Sequence, residues 1–211
     1  MRTPSLPARA VLAAAFWLAG CATPTDVHWH SLLSPQPLAR PAPRMTVRLG
    51  TITVPPGVDQ PQWLVRLPDD SLRMLEQERW TAPLRDELRA ALREGLEPVA
   101  GTGDDPAAPA QAASARPPAW RLDVDVVRFE SRPAREAWIE ARWSLTPSDS
   151  TARTLNCTTT AHESATGDAA SLASGHRRAV ARLIDDVSAA LGELAADPAG
   201  ARCPRHAGTA S

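Results

Sequence analysis

The side chains able to do chemistry are few and scattered. The chain holds five histidines and no tyrosine. Its three Asp-Asp pairs, Asp69-Asp70, Asp104-Asp105 and Asp185-Asp186, fall in a turn, a loop and a helix, where adjacent acids are usually solvated charge. His28-Trp29-His30 offers two imidazoles on a Pro-rich stretch. A structural metal site needs about four ligands held in fixed geometry, so no metal is assigned; Trp29 is expected to pack on the domain or on a membrane surface. His176 falls on an apolar helix stripe and is expected in the core or at a helix edge. The sequence contains no G-x-S-x-G, H-E-x-x-H, G-x-G-x-x-G or P-loop, motifs that would place a nucleophile, a zinc site or a phosphate cradle. No catalytic residue or cofactor is assigned. The expected chemistry is anchoring and contact.

The cysteines carry more information. Arg2 and Arg9 precede an apolar run over residues 10–19, and Leu18-Ala19-Gly20 leads into Cys21. A basic start, a short apolar run and small residues at the end are the layout of a secretory signal. Ten apolar residues are too few to span a bilayer. Leu-Ala-Gly-Cys matches the bacterial lipobox, so residues 1–20 are expected to be removed and Cys21 lipidated. Ala22 in place of an acid after the cysteine points to the outer membrane. Cys157 and Cys203 then remain in an oxidising compartment. Two readings stand: one disulfide between them, or a buried Cys157 and an unrelated, exposed Cys203. The disulfide is carried forward.

Composition bounds the rest. The 211 residues carry a formal net charge of −1, and loss of residues 1–20 with their two arginines leaves −3. A nucleic-acid binder shows a basic excess, so that class is set aside, and membrane attachment must rest on lipid. With 43% hydrophobic residues there is apolar material for one core. Residues 21–44, with Pro24, Pro35, Pro37, Pro41 and Pro43, are expected to form an extended tether; residues 45–197 form the domain, and 198–211 a tail.

Within the domain, residues 45–54 read as a strand that changes phase near Gly50, a bulge position. Residues 62–66 and 72–75 flank Pro68-Asp69-Asp70-Ser71 and predict a hairpin. Thr81 is the expected N-cap of a helix whose Leu84, Leu88, Leu92 and Leu96 form one stripe. Residues 101–119, rich in Ala and Pro, predict a mobile loop. Period-two alternation over 122–129, 137–145 and 155–161 predicts three antiparallel strands with one dry face. A second bulge is expected near Val127. The stripe Leu172, His176, Ala179, Leu183, Val187, Ala190 and Leu194 predicts a final helix from about Asp168 to Ala196. The order βββ-α-βββ-α predicts a two-layer α/β sandwich: a mostly antiparallel sheet of about six strands with two helices on one face.

Four pieces together resemble a known family. They are the lipobox, the stretch from Ile52 through Val54-Pro55 and Pro61-Gln62-Trp63 to Arg66, the helix opening Arg79-Trp80-Thr81-Ala82-Pro83-Leu84, and Val124-Asp125-Val126-Val127-Arg128-Phe129-Glu130 leading to Trp143. This pattern is similar to the PqiC/YmbA-type lipoproteins, the ABC-type transport auxiliary lipoprotein components. The resemblance implies an outer-membrane lipoprotein on the periplasmic face. Such a protein is a non-enzymatic docking piece for a periplasm-spanning MCE protein that moves lipid between membranes, and several copies can form a ring. The alternative is a periplasmic scaffold or envelope-stress lipoprotein without lipid traffic. Trp63, Arg66, Arg79 and Trp80, residue types enriched at binding hot spots, are the expected partner contacts.

Overall fold

Apolar and polar residues alternate through the second half of the chain, and this pattern builds the longest ladders of the fold. The computed structural model describes residues 26–34, 45–102, 119–148 and 153–205. The elements in order are β1 (His28–His30), β2 (Thr46–Thr53), a 3-10 turn (Pro56–Val58), β3 (Gln62–Arg66) and β4 (Leu72–Trp80). Helix α1 (Leu84–Leu96) follows, then β5 (Gly101–Thr102), β6 (Ala119–Arg132), β7 (Arg135–Pro147), β8 (Leu155–Ala165) and helix α2 (Ala169–Ala196). The expected signal segment 1–20 and Cys21 lie outside the described residues, as do Asp104-Asp105 and residues 206–211.

Strands β6, β7 and β8 form one antiparallel run. The other edge of β6 carries two strands end to end: β2 runs parallel along its first half, and β3 meets it at Ser131. Beyond β3 lie β4 and then β1; beyond β2 lies β5. The sheet among the described residues therefore has eight strands and is mixed, where about six mostly antiparallel strands were expected. The hairpins are antiparallel because short turns join them. The two halves of the chain meet in parallel because a helix and a long connection return the chain to the same end. The two additional strands are β1, inside the expected tether, and β5, at the start of the expected mobile loop. Both are short strands held by partners distant in sequence.

Both bulges fall where the phase changes predict them. The β2–β6 register shifts between Leu49 and Ile52, and the β6–β7 register between Val126 and Arg128. A larger irregularity separates Gln62↔Arg79 from Trp63↔Leu75 in the β3–β4 hairpin.

The dry face of the sheet presents Leu122, Val124, Val126, Phe129, Ile139, Trp143 and Leu145 to the leucine stripe of α1 and to Leu172, Leu183, Val187 and Leu194 of α2. Each fully buried side chain of this size contributes about 1.5–3 kcal/mol. Helix α2 begins at Asp168, whose carboxylate accepts the Ser171 N–H at 3.0 Å, the capping geometry expected of an acid at that position. Helix α1 is capped differently from the expectation. Pro83, not Thr81, is its N-cap, and Asp59 accepts the Arg85 N–H at 3.1 Å from across the 3-10 turn. The Thr81 hydroxyl instead donates to Glu87. The helices cross closely at Gly95, where a Cβ would lie 2.5 Å from Cδ1 of Ile184; only glycine permits that approach.

Candidate functional site

Two of the four expected partner contacts lie inside the fold. Trp63 and Trp80 are 1% and 3% exposed, with ring centroids 4.5 Å apart. Their segments pair directly, since Gln62 faces Arg79 and the Trp80 N–H donates to the Pro61 carbonyl at 2.7 Å. The stretches around Trp63 and Trp80 thus build one aromatic cluster, which Phe129, His30 and His176 complete. The expectation that these tryptophans form a contact surface is corrected. Their types suit a hot spot, but the strand register turns both toward the helices. Arg66 and Arg79 remain half-buried at the surface.

His176 is fully buried and stacks on Phe129 with centroids 4.0 Å apart. Its Nε2 shares a 2.7 Å hydrogen bond with the Ser131 hydroxyl. That is the distance of a nucleophile and its base, but the surroundings differ from a catalytic pair. Both residues are closed off from solvent, and Nδ1, where a triad would place an orienting acid, has no partner among the described residues. Burial lowers the His176 pKa to about 3, so the ring stays neutral and serves as packing. Asp186 is likewise inward: the Trp143 indole donates to Thr159 at 3.0 Å, and Thr159 donates to Asp186 at 2.5 Å. Its neighbour Asp185 is exposed, so the two acids do not act on one point. Asp69 is engaged in its turn, accepting from Ser71 N and Oγ, while Asp70 takes a positive φ of 63°.

Both helices lie on one side of the sheet, and among the described residues no α-helix covers the other side. On that side, a charge network lies beside the turn that joins β6 to β7. Glu130 accepts from Arg128 at 2.6 Å, Arg132 at 3.1 Å and Arg66 at 3.3 Å. Partial burial pushes the Glu130 carboxyl up, but Arg66, Arg128 and Arg132 outweigh it and hold it below the usual range. Glu136 accepts from Arg132 and His162, each at 3.0 Å; burial raises it, and His162 with its arginine neighbours brings it below its ordinary value. Trp138 lies flat in this network, with Arg128 4.1 Å above its ring and His162 stacked at 4.4 Å. Ion pairs this dense neutralise one another and fix the surface in one shape. They leave guanidinium edges, groups suited to holding a partner.

Two hollows flank the network. One, about 540 Å³, is lined by Thr51, Thr53, Asp123, Asp125, Arg142 and Asn156 among others. The other, about 320 Å³, lies between the 3-10 turn and strands β3, β4 and β6, with Val58, Leu64, Leu72 and Val127 in its apolar lining and Arg66, Arg128 and Glu130 as its charges. Leu72 is 56% exposed, and Met74, which pairs with Leu64, is exposed as well. Exposed apolar side chains ringed by charge mark contact surfaces more often than isolated ones do. Leu72, Met74 and Glu130 were not singled out from sequence. The signal available was Leu-Arg-Met-Leu at 72–75, where apolar residues occupy both faces of a strand.

Of the two readings of the cysteines, the structure has the disulfide: Cys157 on β8 is bonded to Cys203, with Cα atoms 5.5 Å apart. The residues just past α2 are therefore held to the sheet, and Ala201 is buried.

The model of the ABC-type transport auxiliary lipoprotein component family matches residues 30–188, and the chain belongs to that family. It is a lipoprotein of the cell envelope and an auxiliary component of a transporter. Two crystal structures share the fold. One, of an uncharacterized protein, is 15% identical, with a TM-score of 0.60 over 78% of this chain and 97% of that one. The other, of a Xanthomonas campestris protein, is 19% identical, with a TM-score of 0.56 over 81% of this chain and 99% of that one. No curated protein matches the chain in sequence.

Proposed function

We propose that the protein is a non-catalytic docking subunit, anchored in the outer membrane through a lipidated Cys21, that presents the helix-free face of its sheet to a periplasm-spanning MCE protein of an inter-membrane lipid transport system. One observation carries the reading. The serine, histidine and acids nearest to catalytic geometry are spent on packing, whereas the uncovered sheet face offers Leu72, Met74 and Arg66 beside a rigid Arg–Glu–Trp network. Rigid aromatic and arginine groups around an apolar centre are the composition of a protein contact. Arg66 keeps the role expected from sequence; Leu72 and Met74 replace the two buried tryptophans. Several copies meeting in a ring would present this face repeatedly.

Fractionation and capture test the reading. Intact-mass analysis of the native protein is expected to show a chain beginning at an acylated Cys21, and Cys21→Ala should leave the outer-membrane fraction. Crosslinked envelopes should yield the MCE protein with the wild type. An unmodified Cys21, or capture of no transport component, contradicts it.

A further inference from the structure

The segment between the expected lipid anchor and the domain is not a free tether over its described part. The chain from His28 to His30 pairs with β4, and His28 and His30 donate to Glu78 at 2.9 and 2.6 Å. The Thr81 N–H donates to the His30 carbonyl at 2.9 Å. Leu32 N and Ser31 Oγ both donate to the buried Glu87, each at 2.8 Å, and Arg177 donates to the Ser31 carbonyl at 3.1 Å. The domain is thus fixed to its own chain as far back as position 28.

Only residues 22–26 separate Cys21 from Val27. Even fully extended, that stretch reaches at most about 20 Å, less than the length of a typical domain. An acylated Cys21 therefore brings β1 close to the lipid headgroups whatever path the intervening residues take.

The residues brought there are unusual for a soluble surface. Val27, Trp29 and Leu33 are 38%, 57% and 41% exposed, three large apolar side chains within seven positions. Trp29 stands opposite Arg79 in the β1–β4 register, and opposed residues project to the same side of a sheet. Among the described residues, the Arg79 guanidinium has one long hydrogen bond, 3.5 Å, to the Glu76 carbonyl. An indole settles at the headgroup level of a bilayer, and a guanidinium pairs with phosphate oxygens.

We infer that Val27, Trp29 and Leu33, with Arg79 beside Trp29, form a phospholipid-contact patch that seats the domain directly on the bilayer holding its anchor. This rests on the lipid-anchor reading above. The patch sets orientation: the β1 edge of the sheet faces the lipid.

The test uses the full-length, lipidated protein reconstituted in phosphatidylethanolamine–phosphatidylglycerol vesicles, with and without a dibrominated phospholipid that quenches indole emission on contact. Flotation of the vesicles is scored first. Wild-type emission should fall with brominated lipid, and Trp29→Phe should lose most of that fall, because Trp63, Trp80, Trp120 and Trp143 are buried and Trp138, on β7 away from the β1 edge, has Arg128 and His162 against its ring. Trp29 is exposed, so the variant should fold; a matching melt confirms it. Protein that floats but shows equal quenching in both forms overturns the patch and leaves the anchor standing. Protein that does not float overturns the anchor and the patch together. Trp29 shielded by a second copy, shown by an oligomer that Trp29→Glu dissociates, also overturns the lipid assignment.

Discussion

The Glu87 carboxylate accepts the main-chain N–H of Leu32 at 2.8 Å, across 55 residues of sequence, and so ties the leading segment of the domain to its first helix. The same carboxylate takes the hydroxyls of Ser31 and Thr81. An acid only 3% exposed persists in a core because three donors satisfy it. Glu87→Ala leaves a buried N–H and two hydroxyls without that acceptor, and should cost about 1–3 kcal/mol. Hydrogen exchange is expected to quicken at residues 28–33 before any other part of the sheet. Unchanged protection there would show that β1 is held by its pairing with β4 alone.

His176 gives the fold a pH dependence of definite sign. Its folded pKa of about 3 lies below the ordinary 6.5. Between those values the unfolded chain binds a proton that the folded chain does not, so stability falls as pH drops from 6.5 toward 3. The slope from this one group reaches about 1.4 kcal/mol per pH unit. Denaturant melts of wild type and His176→Phe, compared at about pH 7 and about pH 5, should show a smaller loss in the variant. Parallel loss in both would assign the acid sensitivity elsewhere.

At the N-terminal edge the sign is opposite. Glu78 raises the His28 pKa through a hydrogen bond and its charge. That contribution is complete below the ordinary histidine pKa and fades as pH rises through the raised value. Amide exchange at Trp29 and His30, corrected for its intrinsic pH dependence, is therefore expected to speed up as the histidine deprotonates, and Glu78→Gln should remove the transition. A wild-type segment with no such transition would mean the His28–Glu78 pair does not help hold β1.

The Cys157–Cys203 bond closes a separation of 46 residues, for which the chain-entropy treatment gives about 4 kcal/mol, often less in practice. Peptide mapping without reductant should recover the linked pair from envelope-extracted protein. Reduction or Cys203→Ser should lower the melting temperature and expose the residues after α2 to protease. Free thiols at both positions in native protein would contradict the bond.

Much of the architecture was legible locally. Leucine spacing gave both helices, Asp168 gave the start of the second, and two phase changes gave the two bulges. What escaped depends on partners far away in sequence. Strand β1 has three residues, too few to show a period, and sits among prolines; its register is set by β4 and Glu87. The face of Trp63 was ambiguous because Gln62-Trp63-Leu64-Val65-Arg66 has apolar residues in both phases. Only the β3–β4 pairing and the position of α2 decide that Trp63 and Val65 point inward while Leu64 points out. Arg66, chosen by residue type, stands half-buried on the outer phase of β3. The exposure of Leu72 and Met74 was not legible because apolar side chains in a strand are assigned to the core by default.

On the contact face, Arg66→Ala and Leu72→Asp should each weaken capture of the transport partner by about 1–2 kcal/mol, roughly tenfold in affinity, with little change in melting temperature for Leu72→Asp because that side chain is exposed. Trp63→Ala should instead unfold the protein, by about 3–5 kcal/mol for a buried tryptophan. Equal capture by wild type and Leu72→Asp would remove this hollow from the interface.

Site-specific photocrosslinking in intact envelopes tests the docking claim most directly. A photoreactive phenylalanine analogue replaces Leu72 in the full-length protein, and Ala181, exposed on α2 on the opposite side of the sheet, serves as the comparison position. The account predicts a crosslink from position 72 to the periplasm-spanning MCE protein, lost when Cys21→Ala releases the anchor, and none from position 181. A crosslink to that protein from position 181 and not from 72, or from neither, would contradict docking through the open sheet face.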